Sequence, residues 1–421
     1  MENVWLGLLF AATVAGALLG ALGRLGRIHE GLVAAAGAAA ALLFGFASVR
    51  DLGTVLAVTW DATLSLVAIM VLSRVLDAAG LFRWAALHTL RAAHGDGRRA
   101  FLLIIGLSAA TAALFTNDGT VLILTPIAAE MLAAAGLSPA AMIPFLIANG
   151  FIADAFSTPL PSSNLVNILA ADFYHVPAAQ YATTMLPASL AALCAASAAL
   201  YLLYGRSLPR RLPQEPARAA GAIADRPTVV AGLVVLPLIA AAFLVTAAHP
   251  VPVFAVLGPA ALAVAMVFAL RRGWRLAARE AAQAPWRVIV FAFSMNVVVF
   301  ALRDAGAVAA LGGLLGHLPV AGWVGVAAAG ASVANNLPST LFDLLLTQRA
   351  GGGLLHALAI AAGNDIGSKL TPIGSLATLI WYDALRRRRL AVPWREYMRS
   401  GWILTPVALA AAALVLGATV R

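Results

Sequence analysis

Four short polar stretches interrupt a chain that is otherwise mostly Ala, Leu, Val and Gly: TNDG at 116–119, DAFSTPLPSSN at 154–164, ANNLP at 334–338 and GNDIGSKLTPIG at 363–374. They hold Asp118, Asp154, Asp365 and Lys369, the only lysine in the protein. Carboxylates beside an amine can hold and pass a proton. The neutral groups around them, Asn117, Ser162, Ser163, Asn164, Asn335, Asn336, Thr371 and the adjoining Ser375, supply hydrogen-bond donors and acceptors together. Two enzymatic readings compete. GNDIGSK has the flavour of a phosphate-binding loop, but its glycine-to-lysine spacing is wrong and no βα unit surrounds it. Asp154 and Asp365 could be the paired aspartates of an intramembrane protease, one activating water and the other protonating the leaving amine. Cys194 is the only cysteine, which rules out an internal disulfide, and no Cys or His cluster has metal-ligand spacing. No cofactor is expected.

The elements that must position these residues follow from composition. Of 421 residues 62% are hydrophobic and 11% charged, with a mean hydropathy of +0.92. Apolar runs repeatedly reach the ~20 residues that cross a bilayer, and period-2 alternation is absent, so the chain reads as an all-α polytopic membrane protein rather than a barrel. The run from Val4 to Leu22 is too long for the apolar core of a signal peptide and is kept as a span. Further spans are expected at 31–49, 55–76 and 183–204, then 229–248, 251–270, 286–303 and 401–420, with an interfacial helix at 82–93. Arms 100–115 with 120–135, and 319–334 with 339–348, are short enough to form two re-entrant hairpins. The spans 140–173 and 355–385 are broken by polar stretches.

The second half repeats the first. WDATLSLVAIMVLSRVLDAAG at 60–80 aligns with WRVIVFAFSMNVVVFALRDAG at 286–306, and Asn117-Asp118 with Asn335-Asn336. Asp154, Ser157, Pro161 and Leu165 match Asp365, Ser368, Pro372 and Leu376 at one constant offset. This predicts a first repeat over 1–204, a cytoplasmic linker over 205–227 and a second repeat over 228–421. Five crossings per half make the second repeat inverted, giving about ten transmembrane helices. The net charge of +10 suggests no nucleic acid, because the arginines crowd the short loops of alternate connections, such as Arg98 and Arg99, Arg210 and Arg211, Arg271 and Arg272, and Arg386 to Arg389. Those loops are placed in the cytoplasm, and both termini outside, in the inner membrane of a bacterium. Asp61, matched by Arg287, reads as a boundary charge.

Irregular backbone at membrane depth persists only where protein or a water-filled cavity satisfies it, so the four breaks are expected to face one another at the midplane. Prolines and glycines that merely kink long helices would not require three carboxylates and an amine, each costly in hydrocarbon.

Taken together, WDATLSLVAIMVLSRVLDAAGLFRWAALH, ALFTNDGTVLILTPI, GFIADAFSTPLPSSNLVNILAADF, APWRVIVFAFSMNVVVFALRDAG and GNDIGSKLTPIGSLATLIW resemble the ArsB-type arsenical efflux family of the ion-transporter superfamily, over nearly the whole chain. The resemblance implies a secondary exporter of arsenite and antimonite coupled to inward proton movement, which in some members works with a soluble ATPase. The superfamily's sodium-coupled carboxylate carriers have Ser-Asn-Thr at the hairpin tips and breaks; here those places read NDG, SSN, NNLPST and GS. A sodium-coupled anion carrier or sodium/proton antiporter is the alternative. Arsenite at neutral pH is an uncharged trihydroxide, which the neutral residues named above suit; one cysteine cannot form a three-sulfur arsenic site, so Cys194 reads as packing. Asp118, Asp154 and Asp365 are the candidate proton carriers. Lys369 is matched by Thr158 in the first break, so symmetry does not demand it. Its ammonium is expected to stand where a cation would sit, paired with Asp365, Asp118 or Asp154. Asn117 and Asn335-Asn336 are expected to bind the solute while capping half-helices.

Overall fold

A computed structural model describes residues 2–21, 29–213, 221–246, 251–283 and 286–419. Its nineteen α-helices run α1 (Glu2–Ala21), α2 (Glu30–Leu43), α3 (Val49–Ala78), α4 (Leu81–Ala92), α5 (Gly97–Leu114), α6 (Asn117–Ala134), α7 (Pro139–Ala155), α8 (Leu165–Phe173), α9 (Ala178–Tyr204), α10 (Arg226–Val245), α11 (Val253–Arg272), α12 (Trp274–Ala282), α13 (Trp286–Asp304), α14 (Ala307–Leu315), α15 (Val320–Ala334), α16 (Asn336–Arg349), α17 (Leu354–Gly367), α18 (Leu376–Arg387) and α19 (Trp394–Ala418). Among the described residues there is no strand. Short 3-10 turns at Pro161–Ser163 and Ser368–Leu370 lie inside the two breaks. Among the described residues seven helices are long and apolar enough to cross a membrane on length and composition alone. One of these, α5, nonetheless ends at the buried Phe115 and Thr116 in the interior and belongs to a hairpin.

The chain is turned inside out relative to a water-soluble protein. Large apolar side chains stand outward, Leu202 at 83% and Leu414 at 75% exposed, while Asn149, Asp154, Asn364 and Asp365 are fully enclosed. This is the distribution that lipid selects, and the protein is a multi-pass membrane protein.

Polar caps start the helices that turn inward. Ser48 and Asp51 form a capping box at α3, Asp96 accepts from Arg98 N and Arg99 N at α5, and Ser138 precedes Pro139 at α7. At the interior starts, Thr116 caps α6, Asn164 caps α8, Asn335 caps α16 and Ser375 caps α18. The capping expected of the tips therefore holds for Asn335 and fails for Asn117 and Asn336, which are already the first helical residues of α6 and α16 while Thr116 and Asn335 take the caps. Thr116 is extended (φ −155°), so its short hydroxyl reaches the Gly119 amide at 2.9 Å.

Both hairpins return to their own side. At the first, Leu212 N donates to Gly95 O beside the start of α5, and Glu130 near the end of α6 pairs with Arg388 after α18. Around these lie the arginine-rich connections: Arg74 binds Glu280 of α12 at 2.7 Å, and Tyr204 donates to Glu396 at 2.7 Å. On the opposite face Tyr174 donates to Thr347 near the end of α16 (2.8 Å), and Arg303 reaches Asp51 at 3.5 Å. The loops that the charge count groups together thus meet on one face. Arg24, Arg27, Arg218 and Arg421, and residues 214–220 of the linker, lie outside the described residues.

Element order repeats: hairpin, broken helix and closing helix are α5 to α9 in one half and α15 to α19 in the other. The halves interlock, with α2 against α13, α3 against α11, α6 against α18 and α9 against α19. In α17, Gly363 and Gly367 present bare backbone to α15, where an added Cβ would collide with Val324 O and Ala328. Four-residue glycine spacing brings two helices to close approach without any hydrophobic drive between them. Two helices went unassigned in the sequence, α12 and α14, each nine residues long and so far below the length of a membrane span.

Candidate functional site

The four interior ends converge. Asp154 and Asp365 are still helical, in the last turns of α7 and α17, so the irregular stretches begin after them rather than at them. Helices α6, α8, α16 and α18 point their N-termini inward, and α5, α7, α15 and α17 their C-termini. Partial charges of both signs therefore meet at the centre.

Lys369 sits on the 3-10 turn, 1% exposed. Its Nζ lies 2.5 Å from Asp154 Oδ2 and donates to Thr378 Oγ1 at 2.8 Å, and that hydroxyl stands 3.1 Å from Tyr397 OH. Of the three carboxylates expected as partners, Asp154 is the one engaged. Its other oxygen, Oδ1, accepts from Asn117 Nδ2 at 2.8 Å, so the first hairpin tip is fastened to the ion pair. Asp365 instead accepts from Asn164 Nδ2 at 2.6 Å, with Ser157 Oγ 3.4 Å from its second oxygen. Asp118 occupies the first turn of α6, buried, and makes no side-chain hydrogen bond among the described residues. Its carboxylate lies within electrostatic reach of both Asp154 and Lys369. A helix N-terminus favours a negative charge there.

The neutral candidates divide. Asn117 and Asn164 bind the carboxylates just described. Ser163 donates to Ala113 O (2.7 Å), Asn335 to Ile373 O (3.1 Å) and Thr371 to Ser332 O (2.6 Å), while Ser375 accepts from Ala377 N. The first three tie each break to the neighbouring hairpin, and Ser375 caps α18. The side chains of Ser162 and Asn336 make no hydrogen bond among the described residues, and the Asn336 amide donates to Gly374 O at 2.8 Å. Asn335 reaches its position with φ +77° and ψ 146°, a positive-φ conformation close to the region that is essentially glycine's own, so the tip is strained.

Several participants escaped the sequence reading. Asp343, buried on α16, accepts from Asn364 Nδ2 (3.0 Å) and Ser339 Oγ (3.1 Å). The equivalent link in the first half is neutral: Thr125 donates to Asn149, which donates to Ser108. The signal for Asp343 was its place four residues after Ser339 in an otherwise apolar arm. Thr378 and Tyr397 lie outside the polar stretches and gave none. Asp61, taken as a boundary charge, accepts from Val253 N and Phe254 N, both at 2.7 Å, and so caps α11 of the other half.

The centre is closed. Beside Lys369, between Gly150, Trp381, Tyr397 and Gly401, a void of ≈ 10 Å³ remains, the room of about one water. A larger cavity of ≈ 390 Å³ opens on the face opposite the arginine-rich one, between Asp61, Asp172, His175 and Gln348. Among the described residues no group of three His, Cys, Asp or Glu could hold a metal ion.

Comparison with known proteins places this geometry. The structure resembles the crystal structure of the Alcanivorax borkumensis YdaH transporter, described as having an unusual topology, with a TM-score of 0.58 at 16% identity, covering 100% of this chain and 97% of that one. An arsenical pump membrane protein of Yersinia enterocolitica is 40% identical over 400 residues, 91% of this chain and 92% of its own. One from Escherichia coli is 38% identical over 407 residues, 92% of this chain and 94% of its own. The model of the family described as "ArsB: Arsenical pump membrane protein" matches residues 23–417, and with that span and those identities the chain belongs to this family.

Proposed function

We propose that this protein exports arsenite and antimonite as neutral trihydroxides across the bacterial inner membrane, in exchange for protons moving inward. The observation that carries the reading is the site's chemistry: the one amine at its centre is already paired, at 2.5 Å, with a carboxylate, so no fixed positive charge is left over for an anion. Amides and hydroxyls line the rest, and a small trihydroxide needs both donors and acceptors. Asn117, Ser162, Asn164 and Asn336 would contact it, with Ser163, Asn335, Thr371 and Ser375 holding the breaks in shape.

Moving an uncharged solute uphill requires a charge that moves downhill; one proton falling through 100 mV supplies ~2.3 kcal/mol. Asp118, Asp154 and Asp365 are the groups able to carry it. Repeats 1–204 and 228–421, joined by a cytoplasmic linker at 205–227, would rock about the site with both termini outside, the arginine-rich face being cytoplasmic. A soluble ATPase could dock on that face in cells that make one, but proton exchange alone suffices for transport.

Everted membrane vesicles test this directly. They should accumulate arsenite when energised and lose it when a protonophore is added. Uptake indifferent to the protonophore but driven by a sodium gradient would sink the reading in favour of the sodium-coupled alternative.

A further inference from the structure

Three carboxylates and one amine are enclosed at the centre, and a dry interior does not hold two uncompensated negative charges cheaply. Each carboxylate has a different surrounding. Asp154 has the ammonium and an amide. Asp118 has the N-terminus of α6. Asp365, 0% exposed, has neither: among the described residues no Lys, Arg or His lies within 4.0 Å of it, and it sits at the C-terminal end of α17, where the helix dipole opposes a negative charge.

Counting hydrogens around Asp365 shows what it has instead. Asn164 Nδ2 donates to Oδ1 at 2.6 Å. The second oxygen faces Ser157 Oγ at 3.4 Å. A serine hydroxyl has a single proton; Ser157 Oγ can give its own to the Asp154 carbonyl at 2.8 Å or to Asp365 Oδ2 at 3.4 Å, and the shorter bond takes it. Asn164 Nδ2 also approaches Ser157 Oγ at 3.3 Å, which marks that oxygen as an acceptor. Facing Asp365, then, Ser157 presents a lone pair. An ionised Asp365 would set lone pair against lone pair, whereas a protonated one makes a hydrogen bond.

The groups that face Asp365 from the surrounding elements agree. From α7 and α6 come the carboxylates of Asp154 and Asp118, and from α9 the buried hydroxyl of Tyr181. Lys369 is turned to Asp154. Asp343 on α16 meets the other flank of α17 through Asn364, and Tyr397 on α19 is held at Thr378. Neither α15 nor the interior turn of α8 brings a titratable group.

We infer that Asp365 is the carboxyl that carries the transported proton, protonated in this closed conformation with its O–H donated to Ser157 Oγ, while Asp154 and Lys369 form a fixed ion pair that keeps its charges throughout. When the site opens inward, the O–H bond breaks, the electron pair stays on the carboxylate and the proton leaves to water; the reverse occurs when it opens outward. Ser157 and Asn164, both of the first repeat, hold this group of the second, so losing the proton loosens the contact between the repeats.

The transport role rests on the proton-exchange reading, but the protonation itself does not, and two measurements keep them apart. Infrared spectra of the purified full-length protein, titrated across pH, should show the carbonyl stretch of a buried carboxylic acid. Asp365→Asn should remove that band, Asp365→Glu and Ser157→Ala should shift it, and Asp154→Asn should leave it in place. A band that survives Asp365→Asn, or that Asp365→Glu does not move, overturns the assignment whatever the solute is. In everted vesicles Asp365→Asn should lose uptake driven by a pH gradient yet retain arsenite-for-arsenite exchange, because it mimics the protonated group permanently. Retained gradient-driven uptake in that variant, or the exchange-only behaviour in Asp154→Asn instead, would also overturn it. If wild-type vesicles take up no arsenite while the infrared result holds, the proposed solute fails and the proton site stands.

Discussion

Replacing Lys369 by methionine deletes the ammonium while keeping most of the stem's volume, and the consequence can be worked out from the contacts of Asp154. In the variant Asp154 keeps one donor, Asn117 Nδ2 at 2.8 Å, and loses a cation at 2.5 Å with no water-filled space behind it. The neighbouring void, ≈ 10 Å³, admits about one water. Removing one member of a buried pair costs about 3–5 kcal/mol, because the remaining charge is stranded; removing both and leaving neutral groups is often close to neutral. Lys369→Met and Asp154→Asn should each therefore unfold at a clearly lower temperature than wild type, and the double variant should recover most of the loss. Additivity would predict about 6–10 kcal/mol for the double variant, so the departure is large against the few tenths by which independent sites usually deviate. Thermal unfolding of the detergent-purified protein, followed by tryptophan fluorescence, reads the three variants side by side. Transport should vanish in both single variants, and Lys369→Arg should regain little, since a planar fork with five donors cannot share the place of three donors aimed at Asp154 and Thr378. A methionine variant as stable as wild type, or a double variant no better than the worse single one, would show that the pair does not hold the centre together.

Alanine at Gly363 or Gly367 should lower the unfolding midpoint by the equivalent of about 1–3 kcal/mol, because its Cβ meets backbone and Ala328 on α15; Gly325→Ala, which meets open space, serves as the control and should change little. At Asn335 the helix-interior ranking of alanine over glycine inverts: Asn335→Gly loses the cap of α16 and the bond to Ile373 O, whereas Asn335→Ala loses these and must also hold a methyl at φ +77°, about 1–3 kcal/mol beyond the ordinary preference for glycine over alanine at a cap. Unfolding midpoints should rank wild type, glycine, alanine, and an alanine variant above glycine would contradict the strained tip. For orientation, in a Cys194→Ser background, a cysteine at Arg275 should react with an impermeant maleimide only after the membrane is opened, and one at Gln180 in intact cells; both positions are exposed, on opposite faces. The reverse pattern would invert the topology.

How much of this was legible in the sequence depended on length scale. Apolar runs of membrane-spanning length gave the spans, and the short arms around Asn117 and Asn335 gave the hairpins, because bilayer thickness is a ruler that composition alone can be held against. The repeat emerged from polar residues at a constant offset, such as Asp154 with Asp365 and Ser157 with Ser368, since breaks cannot drift where backbone must be satisfied. What stayed hidden depends on helix rotation and on angstrom-level reach. Three aspartates were within plausible range of Lys369, and only the packing of α7 against the 3-10 turn selects Asp154. Asn117 rather than Thr116 was expected as the cap because amide side chains usually lead at that position, but a one-residue shift of the helix start decided it. Thr378 and Tyr397 read as ordinary residues of apolar helices, and nothing but their mutual distance reveals that they continue the ammonium's hydrogen bonds.

The differences between the halves are as informative as the match. Aligned position by position, Asp118 stands opposite Asn336, Asp343 opposite Thr125 and Lys369 opposite Thr158, so each of these charges has a neutral counterpart. Two acidic pairs recur in both halves at one offset: Asp172 and Asp383 lie toward the outer ends of α8 and α18, whereas Asp154 and Asp365 lie in the interior, each in the last turn of a half-helix. Two such carboxylates, brought near one another where carbonyl ends already crowd, repel. Lysine in place of Thr158's equivalent relieves one of them, and the hydroxyl of Thr158 itself is occupied with Ser189 at 2.7 Å, so the other gains no matching partner. An inverted duplication that had stayed symmetric would hold two ion pairs or none, and neither arrangement leaves a single group free to change charge. Unequal substitution at this one position leaves Asp154 paired and Asp365, among the described residues, without a cation, which is the asymmetry that the proposed proton site uses.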